Sequence, residues 1–320
     1  MSQNIFQRFV KYEPIIEGFS ADKKYCVTDA SGKKYYLRIA PLSEYEALKL
    51  LFAMLKKLAA LGVPMCTPVE FGTCDAGVYY LQSWIDGADL ASVLPGLSEG
   101  EQYVLGVKAG EILRKIHTIP APEIQEDWLE QFNRETETKI KKYHEYGLQF
   151  EGDEEAFAYI EQNRHLLKNR PQCFQHGDFH VHNMMIEKGE IKIIDFSYGF
   201  GDPWEEMESI RWCVDVSVYF ANGMINGYFV DRPPESFWQT LLLYFCKGMF
   251  HNLLWGKEHS DEQVESAFQH IRKIREWTDG LKNVIPTWYR ESHFLNELTL
   301  WSDDMSYPSK RNQWLTKCKR

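Results

Sequence analysis

The residues with most capacity for chemistry lie together in one run: Gln175, His176, Gly177, Asp178, Phe179, His180, Val181, His182 and Asn183, followed after a short apolar stretch by Asp195. The amide oxygen of Asn183 and the carboxylate of Asp195 are hard oxygen donors of the kind that hold Mg²⁺ carrying nucleotide phosphates. Asp178 precedes Asn183 closely enough to orient an acceptor hydroxyl beside such a metal and take its proton. Phosphoryl transfer asks a protein mainly to position groups and neutralise charge, so a few well-placed oxygens suffice. Asp178 or Asn183 alone would read as a turn cap. The complete set on one folded-back segment reads as a reaction centre.

That segment is a predicted β-hairpin. Met184, Met185 and Ile186 form one apolar arm, Ile191, Ile193 and Ile194 the other, and Lys188-Gly189 the turn. With Gly189 as midpoint, Asn183 and Asp195 are equidistant from the turn and fall opposite each other, roughly 5 Å apart between α-carbons. A rival reading comes from the alternation of His176, Asp178, His180 and His182. On a strand all four would project from one face, as in a zinc or di-metal hydrolase. That reading needs further ligands, and His117, His144, His165, His251, His259, His270 and His293 show no recurrent metal spacing.

The upstream pattern supplies a scaffold. Tyr25 to Thr28 and Tyr35 to Ile39 read as strands joined by a turn at Asp29, Ala30, Ser31 and Gly32. A helix is predicted from Ser43, with Ser43 as N-cap and Glu46 at the reciprocal capping position. Its apolar positions Leu48, Leu51, Phe52, Leu55 and Leu58 recur with helical period, and Gly62 and Pro64 end it. Val69 to Phe71 and Val78 to Gln82 are two more strands. Downstream the pattern is helical, including 110–117, 237–256 and 261–284.

Composition excludes several classes. The chain is 44% hydrophobic and 26% charged, with a net charge of −10 from 46 acidic and 36 basic residues. Nucleic-acid binding needs a basic footprint that is missing here, whereas a cationic small molecule is compatible with this charge. No run approaches the roughly 18 apolar residues of a membrane span. The seven cysteines lack metal-site spacing and suit a reducing compartment. The expected location is the cytoplasm.

His176-Gly177-Asp178 through Asn183, then Ile194-Asp195-Phe196, resembles the signature of the aminoglycoside phosphotransferase family, whose protein-kinase-like fold is shared with choline and other small-molecule kinases. The resemblance spans about residues 12 to 210. It implies an α+β, protein-kinase-like bilobal fold, with a small antiparallel-sheet N-lobe over residues 1–83 and a large, mainly helical C-lobe over 84–320. The hinge would lie at about 82–87. It implies Asp178 as catalytic base and Asn183 and Asp195 as metal ligands. Arg38, where the family usually has Lys, would grip the nucleotide phosphates, and Glu46 would pair with it. Ser20, in a loop that replaces a glycine-rich phosphate loop, would also contact nucleotide, and the backbones of Ser83 and Ile85 would meet the base. The family's later Asp, which anchors the catalytic loop, is replaced by Glu205 or Glu206. The implied cofactors are ATP or GTP with Mg²⁺. The implied partner is a hydroxyl-bearing small molecule: an aminoglycoside-type antibiotic first, then a macrolide, an amino alcohol or a sugar. A non-catalytic pseudokinase is the alternative that Arg38 and the Glu205/Glu206 replacement leave open.

Overall fold

A computed structural model describes residues 4–16, 22–230 and 232–290. Ser20 and the loop around it, at 17–21, lie outside the described residues, as do the tryptophans beyond 290. Five antiparallel strands form the first lobe: β1 (Lys11–Ile15), β2 (Lys23–Thr28), β3 (Lys34–Ala40), β4 (Pro68–Cys74) and β5 (Gly77–Ser83), in the order β1-β2-β3-β5-β4. Alternation along the strands divides the side chains between two faces. Val27, Leu37, Ile39, Tyr79 and Leu81 pack on one side under Ile5, Phe6 and Phe9. Tyr36, Arg38 and Tyr80 lie on the other, toward α1 (Tyr45–Ala60) and the second lobe.

The predicted apolar stripe of α1 is the buried one. Its start differs from expectation. Leu42–Glu44 form a 3₁₀ turn and Glu44 holds the N-cap position without a side-chain bond, so the Ser43 capping box is not made. Residues 84–87 are an irregular connector, fastened to the second lobe where the Asp86 N–H donates to Glu187 Oε1 at 2.8 Å.

Beyond it come β6 (Ala88–Asp89), α2 (Leu90–Val93), α3 (Glu99–Ile116), α4 (Trp128–Glu145), α5 (Asp153–Asn163), β7 (Cys173–Phe174), β8 (Met184–Glu187), β9 (Glu190–Ile193), β10 (Phe200–Gly201), α6 (Ile210–Val216), α7 (Val218–Tyr228), α8 (Glu235–His259) and α9 (Asp261–Trp277). The α+β class and two-lobe division expected from the sequence are observed. Two short pairings were not foreseen: β6 extends the β8–β9 hairpin, and β7 pairs with β10. Among the described residues no helix is long and apolar enough to cross a membrane, and the six described cysteines are free thiols.

The closest packing joins α3 to α7. A Cβ on Gly106 would meet the Phe220 carbonyl oxygen at 2.1 Å, and one on Gly223 would meet the Tyr103 carbonyl oxygen at 2.2 Å. Gly110 and Gly227 face equally near backbone. Four glycines therefore let two helix backbones touch, which sets His117 at the end of α3 against Tyr228 at the end of α7 (2.9 Å from His117 Nδ1 to the hydroxyl). Interiors at this density do not absorb an added methyl. We predict that Gly223→Ala costs about 1–3 kcal/mol in urea denaturation. Gly96→Ala, with open space around the new Cβ, should change little. Equal stabilities for the two variants would contradict a backbone-limited crossing.

Candidate active site

The hairpin forms as predicted, with a different centre. Lys188 and Gly189 both have positive φ, 54° and 82°, the signature of a two-residue type I′ turn whose twist matches that of the strands. Pairing runs from Met184↔Ile193 to Glu187↔Glu190, so the midpoint falls between Lys188 and Gly189. Asn183 therefore bonds to Ile194, whose N–H donates to the Asn183 carbonyl at 3.0 Å. Asp195 lies one residue past the ladder, in the left-handed region at φ 61°. A non-glycine residue held there is strained, which is a frequent mark of a working position.

Asp178, Asn183 and Asp195 still line one cavity of about 920 Å³. The Asn183 Nδ2 donates to Asp178 Oδ2 at 3.0 Å and to the Asp178 carbonyl at 2.9 Å. With its amide nitrogen so engaged, Asn183 has Oδ1 to offer a cation. His180 lies with Nε2 2.9 Å from Asp178 Oδ1, and its Nδ1 accepts the His182 N–H at 3.2 Å, which fixes the tautomer that donates to the aspartate. Desolvation at the cleft wall pushes the Asp178 carboxyl up, but the bonds from His180 and Asn183 outweigh it and hold it below the usual aspartate range. A carboxylate that stays ionised suits orienting a hydroxyl more than storing its proton. Residues 176–182 are loop and 3₁₀ turn, not a strand. The face of four alternating ligands is thus absent, and among the described residues no three His, Cys, Asp or Glu side chains form a metal-binding group.

Glu206 answers the choice left open with Glu205. It is buried at the base of the loop, where Oε2 accepts the His176 N–H at 2.9 Å and Oε1 accepts the Gly177 N–H at 2.5 Å. His117 Nε2 lies 2.9 Å from the same carboxylate. His176, wholly buried, donates from Nε2 to the Ile194 carbonyl at 2.8 Å and accepts the Asp178 N–H at Nδ1. Burial lowers its pKa, consistent with this neutral ring. The ring thus ties the Asp178 loop to the strand end bearing Asp195. Glu205 instead faces Lys247, as described below.

Expected nucleotide contacts are less well matched. Arg38 and Glu46 are not paired. Arg38 Nε is 2.6 Å from Asp22 Oδ2 and Nη1 donates to the Tyr80 hydroxyl at 3.3 Å. Glu46 points to solvent in the first turn of α1, 3.6 Å from Lys49. The Ser83 N–H donates to the Thr67 carbonyl at 2.8 Å, so only its carbonyl could face a base, and Ile85 is buried in the connector. Sequence reasoning missed Lys24. It is opposite Arg38 in the β2–β3 register, its side chain is 10% exposed, and its Nζ is 3.9 Å from Asp195 Oδ2. Lys24 lines the cavity. The available signal was period two: Lys24 shares a sheet face with Cys26, opposite the Arg38 and Tyr36 pair.

The model of the phosphotransferase enzyme family (APH) matches residues 11–238. No curated protein sequence matches the chain. Among solved structures, the GDP complex of aminoglycoside 2'-phosphotransferase IIIa has a TM-score of 0.63 at 13% identity, covering 85% of this chain and 94% of that one. The gentamicin complex of APH(2")-IIa has a TM-score of 0.59 at 16% identity, covering 84% and 93%. The amicoumacin kinase hAmiN, in complex with AMP-PNP, Ca²⁺ and Ami, has a TM-score of 0.57 at 14% identity, covering 87% and 92%. At these identities the likeness concerns the fold.

Glu206 carries the local geometry, and its removal would leave the buried His176 N–H and the part-buried Gly177 N–H without their acceptor. We predict that Glu206→Ala destabilises the protein by about 2–5 kcal/mol in urea denaturation, and that Glu205→Ala leaves His176 and Gly177 in place. Loss of the His176 and Gly177 amide resonances' protection from hydrogen exchange in Glu205→Ala but not in Glu206→Ala would contradict this assignment.

Proposed function

The chain belongs to the phosphotransferase enzyme family, and from that premise we propose that it moves the γ-phosphate of ATP or GTP to a hydroxyl of a small molecule. The observation that carries this reading is the convergence of Asp178, Asn183 and Asp195 on one cavity. The donors fit Mg²⁺: Asn183 has an amide oxygen to offer, and Asp195 has an exposed carboxylate whose nearest cation is Lys24, 3.9 Å away. Asn183 and Asp195 would hold the ion, which when bound supplies charge neutralisation at the β- and γ-phosphates.

The remaining work falls to the chain's own side chains. Asp178 Oδ, aimed by His180 and Asn183, accepts a hydrogen bond from the acceptor hydroxyl and points its oxygen at phosphorus. The proton leaves toward that carboxylate as the new P–O bond forms and the bond to the nucleoside diphosphate breaks. Lys24, rather than Arg38, is the cation facing the phosphates, because it lines the cavity while Arg38 is tied to Asp22 and Tyr80. The carbonyl of Ser83 and backbone of Ile85 remain the proposed base contacts, with the lobe boundary at about 82–87. Residue types at Asp178, Asn183 and Asp195 weigh against the pseudokinase alternative. Related structures hold gentamicin, streptomycin or Ami, so hydroxylated amines, aminoglycosides first, are the acceptors with which to begin, followed by macrolides, amino alcohols and sugars. A cytoplasmic location is part of the same proposal.

Two measurements test it. In a coupled ADP- or GDP-release assay with Mg²⁺, Asp178→Asn should lower turnover by about 10²–10⁴-fold; turnover equal to wild type would sink the role of Asp178. In a fluorescent-nucleotide binding assay, Lys24→Met should weaken affinity by about 10–100-fold through loss of a charge-assisted contact. Arg38→Met should act more through stability of the sheet. The reverse ranking of the two would return the phosphate role to Arg38.

A further inference from the structure

Beyond Asp178 the cavity continues between α4, the turn at Glu205–Ser209, α6 and α8. An acceptor must enter this part to reach Asp178. Its wall carries Glu135, Glu205 and Glu208 against Lys139, Arg211 and Lys247. Lys247 sits between Glu205 Oε1 at 2.8 Å and Glu135 Oε2 at 3.1 Å. That trio holds one net negative charge, which Lys139, one turn along α4 from Glu135, balances. Glu208 and Arg211 pair with each other. His251, in the same wall, is neutral: burial first, then the charges of Lys139, Lys247 and Arg211, push its pKa down to about 4. Three carboxylates and three cations cancel, so the wall selects neither a polyamine nor an acid by charge.

The wall offers instead unused hydrogen-bonding capacity beside flat apolar surface. Glu208 Oε1 and Arg211 Nε are buried without a hydrogen-bond partner among the described residues. The Arg211 side chain is 8% exposed and lines the cavity, so this orphan donor lies in the wall itself. Gly248 makes room for the orphan acceptor, since a Cβ there would meet Glu208 Oε1 at 2.3 Å. Buried groups of this kind are satisfied when a bound molecule or an ordered water reaches them. One donor and one acceptor on a pair without net charge match neighbouring hydroxyls, each of which both donates and accepts. The neutral His251 ring and the amide of Asn252 extend the same mixed character along the cavity.

Trp212 and Trp255, both half-buried, supply the apolar surface. His259 stacks on Trp255 with ring centroids 3.9 Å apart, which holds that indole in place. The Arg211 guanidinium lies 5.4 Å from the Trp212 centroid. A ring that already carries a cation is a poor cage for a second one, which disfavours an ammonium at this surface. Its area is available to the C–H face of a saturated ring. Aromatic walls with a few placed polar groups are a common form of small-molecule site.

We propose that the acceptor is an uncharged polyhydroxylated ring, a sugar or cyclic polyol. It packs on Trp212 and Trp255 with adjacent hydroxyls on the Glu208–Arg211 pair and a further hydroxyl at Asp178. That last hydroxyl gives its proton to the Asp178 carboxylate as its oxygen bonds to the γ-phosphorus and the nucleoside diphosphate leaves. This rests on the phosphotransferase reading, narrows its acceptor, and places sugars ahead of hydroxylated amines.

The test uses rings that differ in charge. Glucose is compared with glucosamine and glucuronate, and galactose with galactosamine and galacturonate. Ribose and myo-inositol widen the uncharged set, and kanamycin and choline are further cationic arms. Binding to the full chain with ADP and Mg²⁺ is read by isothermal titration at constant ionic strength. The tightest ligand should be uncharged, by about tenfold over every charged compound. Glu208→Gln, which leaves the wall one charge positive, should move the preference toward the uronates. Lys139→Gln, which leaves it one charge negative, should move it toward the amino sugars. Trp255→Ala should weaken the tightest uncharged ring by about tenfold, and Trp255→Phe by much less. Retained ADP binding reports that each variant is folded. A charged compound as the tightest wild-type ligand, equal binding across the panel, preferences unmoved in both charge variants, or Trp255→Ala without effect would each overturn the proposal. Basal nucleotide turnover in Asp178→Asn is followed in parallel. If it matches wild type, the phosphotransferase reading itself fails; if it collapses while uncharged rings do not lead the panel, only the acceptor class is wrong.

Discussion

The site depends on one buried carboxylate. Glu206 accepts two consecutive backbone N–H groups, from His176 and Gly177, and has the His117 ring at 2.9 Å. The buried His176 amide, turned inward at the loop, needs a partner, because an unpaired buried donor costs about 1–3 kcal/mol. Glu206 supplies that partner and so dictates the path of the loop one residue before Asp178. His117 is in turn placed by the glycine crossing of α3 and α7, through Tyr228. A packing feature of the helical lobe thereby reaches the loop that carries Asp178 through three contacts.

The second anchor is His176, which joins the loop to the hairpin's far arm through the Ile194 carbonyl, while the Ser197 N–H returns to the His176 carbonyl at 2.9 Å. Between these two contacts Asp195 is forced into its left-handed conformation. The strain is local and its compensation is distributed over both bonds. The first lobe then contributes Lys24 from above, so the cavity is closed by opposite charges on the two lobes. Below, Asp202 is fully buried against Arg170 (2.7 Å) and the Tyr244 hydroxyl (2.6 Å), which braces the turn from which Glu206 projects.

Much of this was legible in the sequence, for identifiable reasons. The hairpin announced itself by two apolar arms around Lys188-Gly189, and the α1 stripe by its period. The register slipped because a type I′ turn has two central residues, and counting from Gly189 alone assigns the partner of Asn183 one position too late. Arg38 and Glu46 were paired by family likeness. In the fold Asp22 and Tyr80 are nearer to Arg38, and Glu46 faces solvent. Glu205 and Glu206 are adjacent and chemically identical, so only the fold separates them: one meets backbone amides, the other Lys247. A lysine amid the apolar run of α8 was the unused clue, since a buried cation requires a carboxylate. Lys24 was passed over, despite its period-two signal, because a lone lysine on a strand usually faces water.

The central claim is that Glu206 holds the loop so that Asn183 Oδ1 and an Asp195 oxygen face a common point. A crystal of the full chain grown with AMP-PNP and Mn²⁺ in place of Mg²⁺ would test it by the anomalous signal of manganese. The account predicts a peak within about 2.0–2.4 Å of both oxygens, beside the nucleotide phosphates and facing Asp178. A peak on the histidines of the loop, or nucleotide bound with no metal touching Asn183 or Asp195, would contradict it.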